Sequence, residues 1–76
     1  MGRQEKPLAE LVKILRAAYS KGSRVVLVKM DDVQAPPIGT QGTVTGVDDI
    51  GTIMVDWDNG SKLGVVLGED ICRKIK

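Results

Sequence analysis

Apolar residues recur with helical spacing near the start of the chain. Leu8, Leu11, Val12, Leu15, Ala18 and Tyr19 follow the i, i+3, i+4, i+7 pattern and fall within roughly 120° of arc on a helical wheel. Pro7 suits the first helical position, where its missing N–H is no loss. Lys21 and Gly22 supply a basic last turn and a left-handed C-cap. A helix is therefore predicted over residues 7–21. Ile14 lies outside the stripe, so either the buried face is broad or this residue is exposed.

From Arg24 the period shortens to two. Val25 and Leu27 share one strand face, and Val26, Val28 and Met30 share the other. A strand that is apolar on both faces needs cover on both, and the helical stripe is the expected lid for the second. Residues 31–40 read as an irregular loop, because Pro36-Pro37 excludes regular pairing and Gly39 offers a turn. Gln41 to Val47 alternates around Gly42 and Gly46, and Asp49-Ile50-Gly51 turns the chain. Ile53, Val55 and Trp57 then share a face opposite Met54, Asp56 and Asp58. Asn59-Gly60 predicts a type I′ hairpin with both residues at positive φ. Leu63 to Leu67 returns, Gly68-Glu69-Asp70 makes a short turn, and Ile71 to Ile75 forms a last strand. The pattern predicts a single domain, 1–76, mainly β with one N-terminal α-helix. Five short strands over residues 24–75 favour a small, strongly bent, partly open barrel, which buries an apolar face and hides edges.

Composition removes several chemistries. The 76 residues contain no histidine, no phenylalanine, one cysteine (Cys72), and only Tyr19 and Trp57 as aromatics. No internal disulfide and no His/Cys metal site can form, so metal and cofactor are expected to be absent. A serine or cysteine nucleophile would lack an imidazole to activate it. Phosphate-binding glycine loops are missing, and so small a chain is expected to leave little room for a ligand cleft of roughly 300 Å³ or more. An enzyme is not expected. Apolar runs of about four residues fall far short of a membrane span, and the charged N-terminal segment does not resemble a secretion signal, so a cytoplasmic protein without membrane contact is expected. The lone Cys72 fits a reducing compartment as small core filler.

Charge is polarised although the net is only +1. Residues 1–30 carry seven bases and two acids, residues 31–70 one base and eight acids, and residues 71–76 three bases.

The order of elements is that of an SH3-like barrel. The segments Gly22-Ser23-Arg24-Val25, Met30-Asp31-Asp32, Ala35-Pro36-Pro37, Gly39-Thr40, Gly42-Thr43-Val44, Val47-Asp48-Asp49-Ile50-Gly51 and Val55-Asp56-Trp57-Asp58-Asn59-Gly60-Ser61 go further. Together they resemble a family of small bacterial proteins of unknown function, met in Firmicutes and their phages and mobile elements. The resemblance covers about residues 7–75. It implies the fold and a phage or mobile-element origin, and supplies no catalytic residues.

Candidate sites remain to be weighed. Asp56-Trp57-Asp58-Asn59-Gly60 fails as a calcium loop, since glycine falls at the fifth position and Leu67 at the twelfth. Asp31-Asp32 and Asp48-Asp49 sit beside turns, where aspartate bonds nearby backbone N–H groups; weak Mg²⁺ binding or a polar contact patch is the other reading. Trp57 is either core or, with the register slipped by one, an exposed anchor. Two aromatics cannot line a methyl-lysine cage, a polyproline groove or a base-stacking platform. Lys13, Arg16, Lys21, Arg24, Arg73 and Lys74 are either a solvated face or a phosphate-contacting stripe. A binding module is expected. Its leading partner is a protein, contacted through Asp31, Asp32, Pro36 and Pro37 of the long loop, with nucleic acid on the basic helix and tail as the alternative.

Overall fold

The computed structural model describes residues 8–75, so the expected helix start at Pro7 lies outside the described residues, as do Arg3, Lys6 and Lys76. The helix α1 runs Leu8–Ala18, followed by strands β1 Arg24–Lys29, β2 Gln41–Val47, β3 Thr52–Trp57, β4 Val65–Val66 and β5 Ile71–Lys74. All strand pairs are antiparallel, in the order β4-β3-β2-β1-β5. The protein is thus mainly β, with one helix and a five-stranded sheet.

The sheet does not close into a barrel. β4 and β5 are its two edges, and no ladder joins them among the described residues. Their proximity comes from the turn Leu67–Asp70, where Leu67 and Asp70 form a single bridge. Asp70 fixes that turn: its carboxylate accepts the Val66 N–H at 2.9 Å, and its own N–H donates to the Val66 carbonyl at 2.9 Å. β4 is only two residues long because Ser61–Gly64 approaches in irregular conformation instead of pairing throughout.

One core serves the whole sheet. Val25 and Leu27 of β1, Val44 and Val47 of β2, Ile53, Val55 and Trp57 of β3, Val65 and Cys72 are buried with Met30 and with Val12 and Leu15 of the helix. Burial contributes roughly 1.5–3 kcal/mol for each large side chain, which offsets the nucleation cost of an eleven-residue helix that would be marginal alone. The helix packs against β2 at one end of this core. It is no lid for the second face of β1, contrary to the sequence reading. On that face Val26 is half-buried and Val28 is 42% exposed, and Val28 is the unpaired residue of the irregularity that β1 makes against β5. Ile14 is exposed.

Two hairpins share one turn geometry. Gly51 and Gly60 have φ of 87° and 95°, and no residue other than glycine has positive φ among those described. The Gly60 N–H donates to the Trp57 carbonyl and the Trp57 N–H to the Ser61 carbonyl; Asp48, Gly51 and Thr52 repeat the pattern. The expected type I′ turn at Asn59-Gly60 is therefore corrected to a three-residue loop, Asp58-Asn59-Gly60, in which only the third residue needs the left-handed region. Asn59 spends its side chain on the Ser61 N–H instead. Gly22 has φ of 94° yet lies beyond the helix end, and its N–H bonds the Val44 carbonyl, so it turns the chain into β1 and does not cap α1.

Gly42 marks the tightest point of the sheet. A Cβ there would lie 2.6 Å from Val55 Cγ1 and 2.8 Å from Trp57 Cε3. The bare backbone lets the indole cross β2, and Trp57 completes its polar contacts by donating Nε1–H to the Leu63 carbonyl at 2.8 Å.

Candidate functional site

The basic residues singled out in the sequence divide into two groups. Arg24 is committed within the sheet: it makes a two-pronged pair with Asp58, at 2.9 and 2.6 Å, and also donates to Thr43 Oγ1 and Gln41 Oε1. The pairing raises the Arg24 pKa and lowers that of Asp58, in both cases chiefly through the side-chain hydrogen bond between them. Arg16 ties the helix to the β2–β3 hairpin, donating to the Val47 carbonyl at 3.0 Å and pairing with Asp49 at 3.1 Å. Lys74 Nζ donates to the Ala18 carbonyl at 2.9 Å, where a cation favours the helix C-terminus. Lys13, Lys21 and Arg73 are exposed and make no hydrogen bond or ion pair among the described residues.

The acidic turns behave similarly. Asp48 accepts the Ile50 and Thr52 N–H groups, and Asp32 accepts that of Gln34. Asp56 pairs with Lys62 at 2.9 Å. Among the described residues no cluster of acids, cysteine or histidine is arranged to hold a metal ion. Trp57 is 3% exposed and is core, so it is not available as a surface anchor. In the long loop, Asp31, Asp32 and Pro37 are exposed, whereas Pro36 is buried and Ala35 packs on the core. Pro36 therefore anchors the loop from within and cannot touch a partner.

A concave surface lies at the open seam of the sheet. A cleft of about 600 Å³ is lined by Lys29, Met30, Asp31 and Asp32 on one side and by Leu63, Gly64 and Val66 on the other, with Glu69 and Asp70 at its end. A second, more apolar cleft of about 350 Å³ is walled by Tyr19, Leu67 and Ile71 over a floor of Ile53, Val65 and Cys72. The two clefts share Lys29, Glu69 and Asp70 in their linings and adjoin there, and this adjoining pair is the groove of the seam. This corrects the expectation that the chain is too small for a ligand-sized cleft. The space exists because the edges β4 and β5 stay apart.

Of the groove residues, the sequence reading marked only Asp31 and Asp32. Leu67, Glu69, Asp70 and Ile71 come together in the predicted turn at Gly68-Glu69-Asp70, and Lys29 joins them only through the pairing of β1 with β5, which no local pattern encodes. An exposed Leu67 and Ile71 flanking the predicted turn was the one available signal. Chemically the groove holds carboxylates, one ammonium and apolar walls. Cys72 is its sole thiol, buried and with its pKa pushed up by that burial, which leaves it a poor nucleophile.

A short helix packed on an open five-stranded antiparallel sheet, with a groove at the unpaired edges, defines a small mainly-β domain. The chain belongs to the family described as Domain of unknown function (DUF4314), which matches residues 8–75. No curated protein matches the sequence. No described helix is long and apolar enough to cross a membrane.

Proposed function

We propose that the chain is a non-catalytic docking module that takes a protein partner in the groove at its open seam. The observation that carries this reading is the groove itself: a hollow of about 600 Å³ adjoining one of about 350 Å³, with exposed apolar walls and carboxylates that form no ion pair among the described residues. Nothing in it forms a nucleophile–base pair, and the chain has no histidine. On the family resemblance, we further propose that the module serves a phage or mobile element as an accessory protein with an SH3-like architecture. Nucleic-acid binding remains the alternative, and rests on Lys13, Lys21 and Arg73, since Arg16, Arg24 and Lys74 are engaged within the fold.

The test is to pan a displayed random-peptide library against the folded chain and against Leu67→Ser/Ile71→Thr, which strips the apolar walls at two exposed positions. Enriched peptides that bind the wild type and lose the variant support the reading. No enrichment, or equal binding to both, overturns it.

A further inference from the structure

Resting on that docking reading, we infer that the groove recognises an extended protein segment in which lysine or arginine stands directly beside large aliphatic side chains. Two features of the groove specify the two halves of this ligand. Its apolar end presents Leu67 and Ile71, 55% and 50% exposed, over Ile53, Val65 and Cys72, with Tyr19 closing one wall. Exposed aliphatic walls over a buried apolar floor gain most from an aliphatic side chain that displaces water from both. Its other end presents Asp31, Asp32, Glu69 and Asp70 around the single cation Lys29.

Outside the groove three of the five described acids are ion-paired: Asp49 with Arg16, Asp56 with Lys62 and Asp58 with Arg24. Asp48 accepts backbone N–H groups, and Glu10 has no ion pair among the described residues. In the groove no carboxylate has an ion-pair partner among the described residues. Asp32 and Asp70 are partly used by backbone N–H groups, while Asp31 and Glu69 accept no hydrogen bond there. Four carboxylates gathered at one hollow around a single ammonium, none of them ion-paired among the described residues, make that hollow complementary to a cation. The same carboxylates would repel a phosphate backbone. Lys29 sits where the two ends meet, and its long flexible stem can swing the ammonium to solvent when a ligand cation enters.

The manner of contact follows from β4. The Val66 N–H and carbonyl are both held by Asp70, so a partner cannot lengthen the sheet at that residue. Recognition at that wall is by side chains, and the acidic and apolar ends set a requirement for adjacent basic and aliphatic residues.

The experiment measures fluorescence anisotropy of three labelled peptides: Gly-Ser-Lys-Lys-Leu-Leu-Ser-Gly, its Glu-Glu-Leu-Leu counterpart and its Lys-Lys-Ser-Ser counterpart. The first is expected to bind at least roughly tenfold more tightly than either of the others, a difference of about 1.4 kcal/mol. Its affinity should fall between about 50 and 200 mM salt. Asp31→Lys/Glu69→Lys, at two exposed positions, should weaken the first peptide by roughly tenfold or more with the circular dichroism unchanged. Equal binding of the acidic peptide overturns the inference. If panned peptides occupy the groove without enrichment of basic residues, this inference fails and the docking reading stands. If no peptide of any composition reaches the groove, both fail. Light scattering that shows self-association abolished by Asp31→Lys/Glu69→Lys would make the occupant a second copy and overturn the inference too.

Discussion

The hairpin surface and the seam carry similar numbers of carboxylates and use them in opposite ways. On the hairpin surface, Asp58 meets Arg24, Asp49 meets Arg16 and Asp56 meets Lys62. Asp58–Arg24 and Asp49–Arg16 link residues 34 and 33 positions apart and so form only once the tertiary fold is in place, whereas Asp56–Lys62 spans six residues. At the seam, Asp31, Asp32, Glu69 and Asp70 crowd the groove with Lys29 and form no ion pair among the described residues. Exposed pairs are individually weak, and on the hairpin surface Arg24–Asp58 specifies β1 against the β3 hairpin while Arg16–Asp49 fixes the helix on the β2–β3 hairpin. Of the seam carboxylates, Asp32 and Asp70 bond backbone N–H groups of the fold, while Asp31 and Glu69 accept no hydrogen bond among the described residues. The contrast separates a surface built for folding from one available for contact.

The largest effects should come from breaking the hairpin side at its core. Leu27→Ala, at a position 1% exposed, should destabilise the protein by roughly 2–5 kcal/mol in chemical denaturation. Gly42→Ala should cost about 1–3 kcal/mol, because the new methyl meets Val55, Trp57 and the Asp56 backbone within 3 Å, and it should broaden or shift Trp57 fluorescence. Val28→Ala, on the opposite and exposed face of the same strand, should change much less, which sharpens the assignment of a single core.

Asp70→Ala, at a seam residue that also holds its own turn, should show an intermediate effect, about 1 kcal/mol, from loss of the carboxylate bond to the Val66 N–H. Asp31→Asn and Glu69→Gln should leave the unfolding midpoint within about 0.5 kcal/mol of wild type, since neither carboxylate accepts a hydrogen bond among the described residues. Marked destabilisation by either would mean that the seam is part of the folding machinery after all.

The pH dependence gives the smallest and most specific effect. Asp58 has its pKa lowered in the folded state, so its contribution is present above the ordinary carboxylate range and is lost as pH falls through the depressed folded value. Thermal unfolding followed from neutral to acidic pH should show a decline that is shallower in Asp58→Asn. Identical slopes would show that the Arg24 pair does not couple to folding.

Much of the fold was legible because its determinants are local. Helical spacing placed α1, and alternation put Val25 with Leu27, and Ile53 with Val55 and Trp57, on shared faces that the structure buries. Turn chemistry located both hairpins, although it misjudged Asn59-Gly60, since dipeptide preference does not reveal that Asp58 joins the loop. The apolar run Val25–Val28 suggested cover on both faces, while the irregularity at Val28 turns that residue to solvent. Closure was out of reach for a different reason. Whether a fifth strand meets the fourth depends on bend accumulated over the whole sheet, and β4 is cut to two residues by its irregular approach. The candidate site suffered most. Asp31 and Asp32 were visible as a polar pair, whereas Lys29, Leu67, Glu69 and Ile71 acquire meaning only once β5 returns beside β1.

The central claim is that the seam, and not the basic helix face, is the docking surface. Backbone amide chemical-shift mapping with the strongest panned peptide tests it most directly. The account predicts perturbations confined to residues 29–32, 63–66 and 67–72. Shifts centred on Lys13 and Lys21, with the seam unmoved, would contradict it.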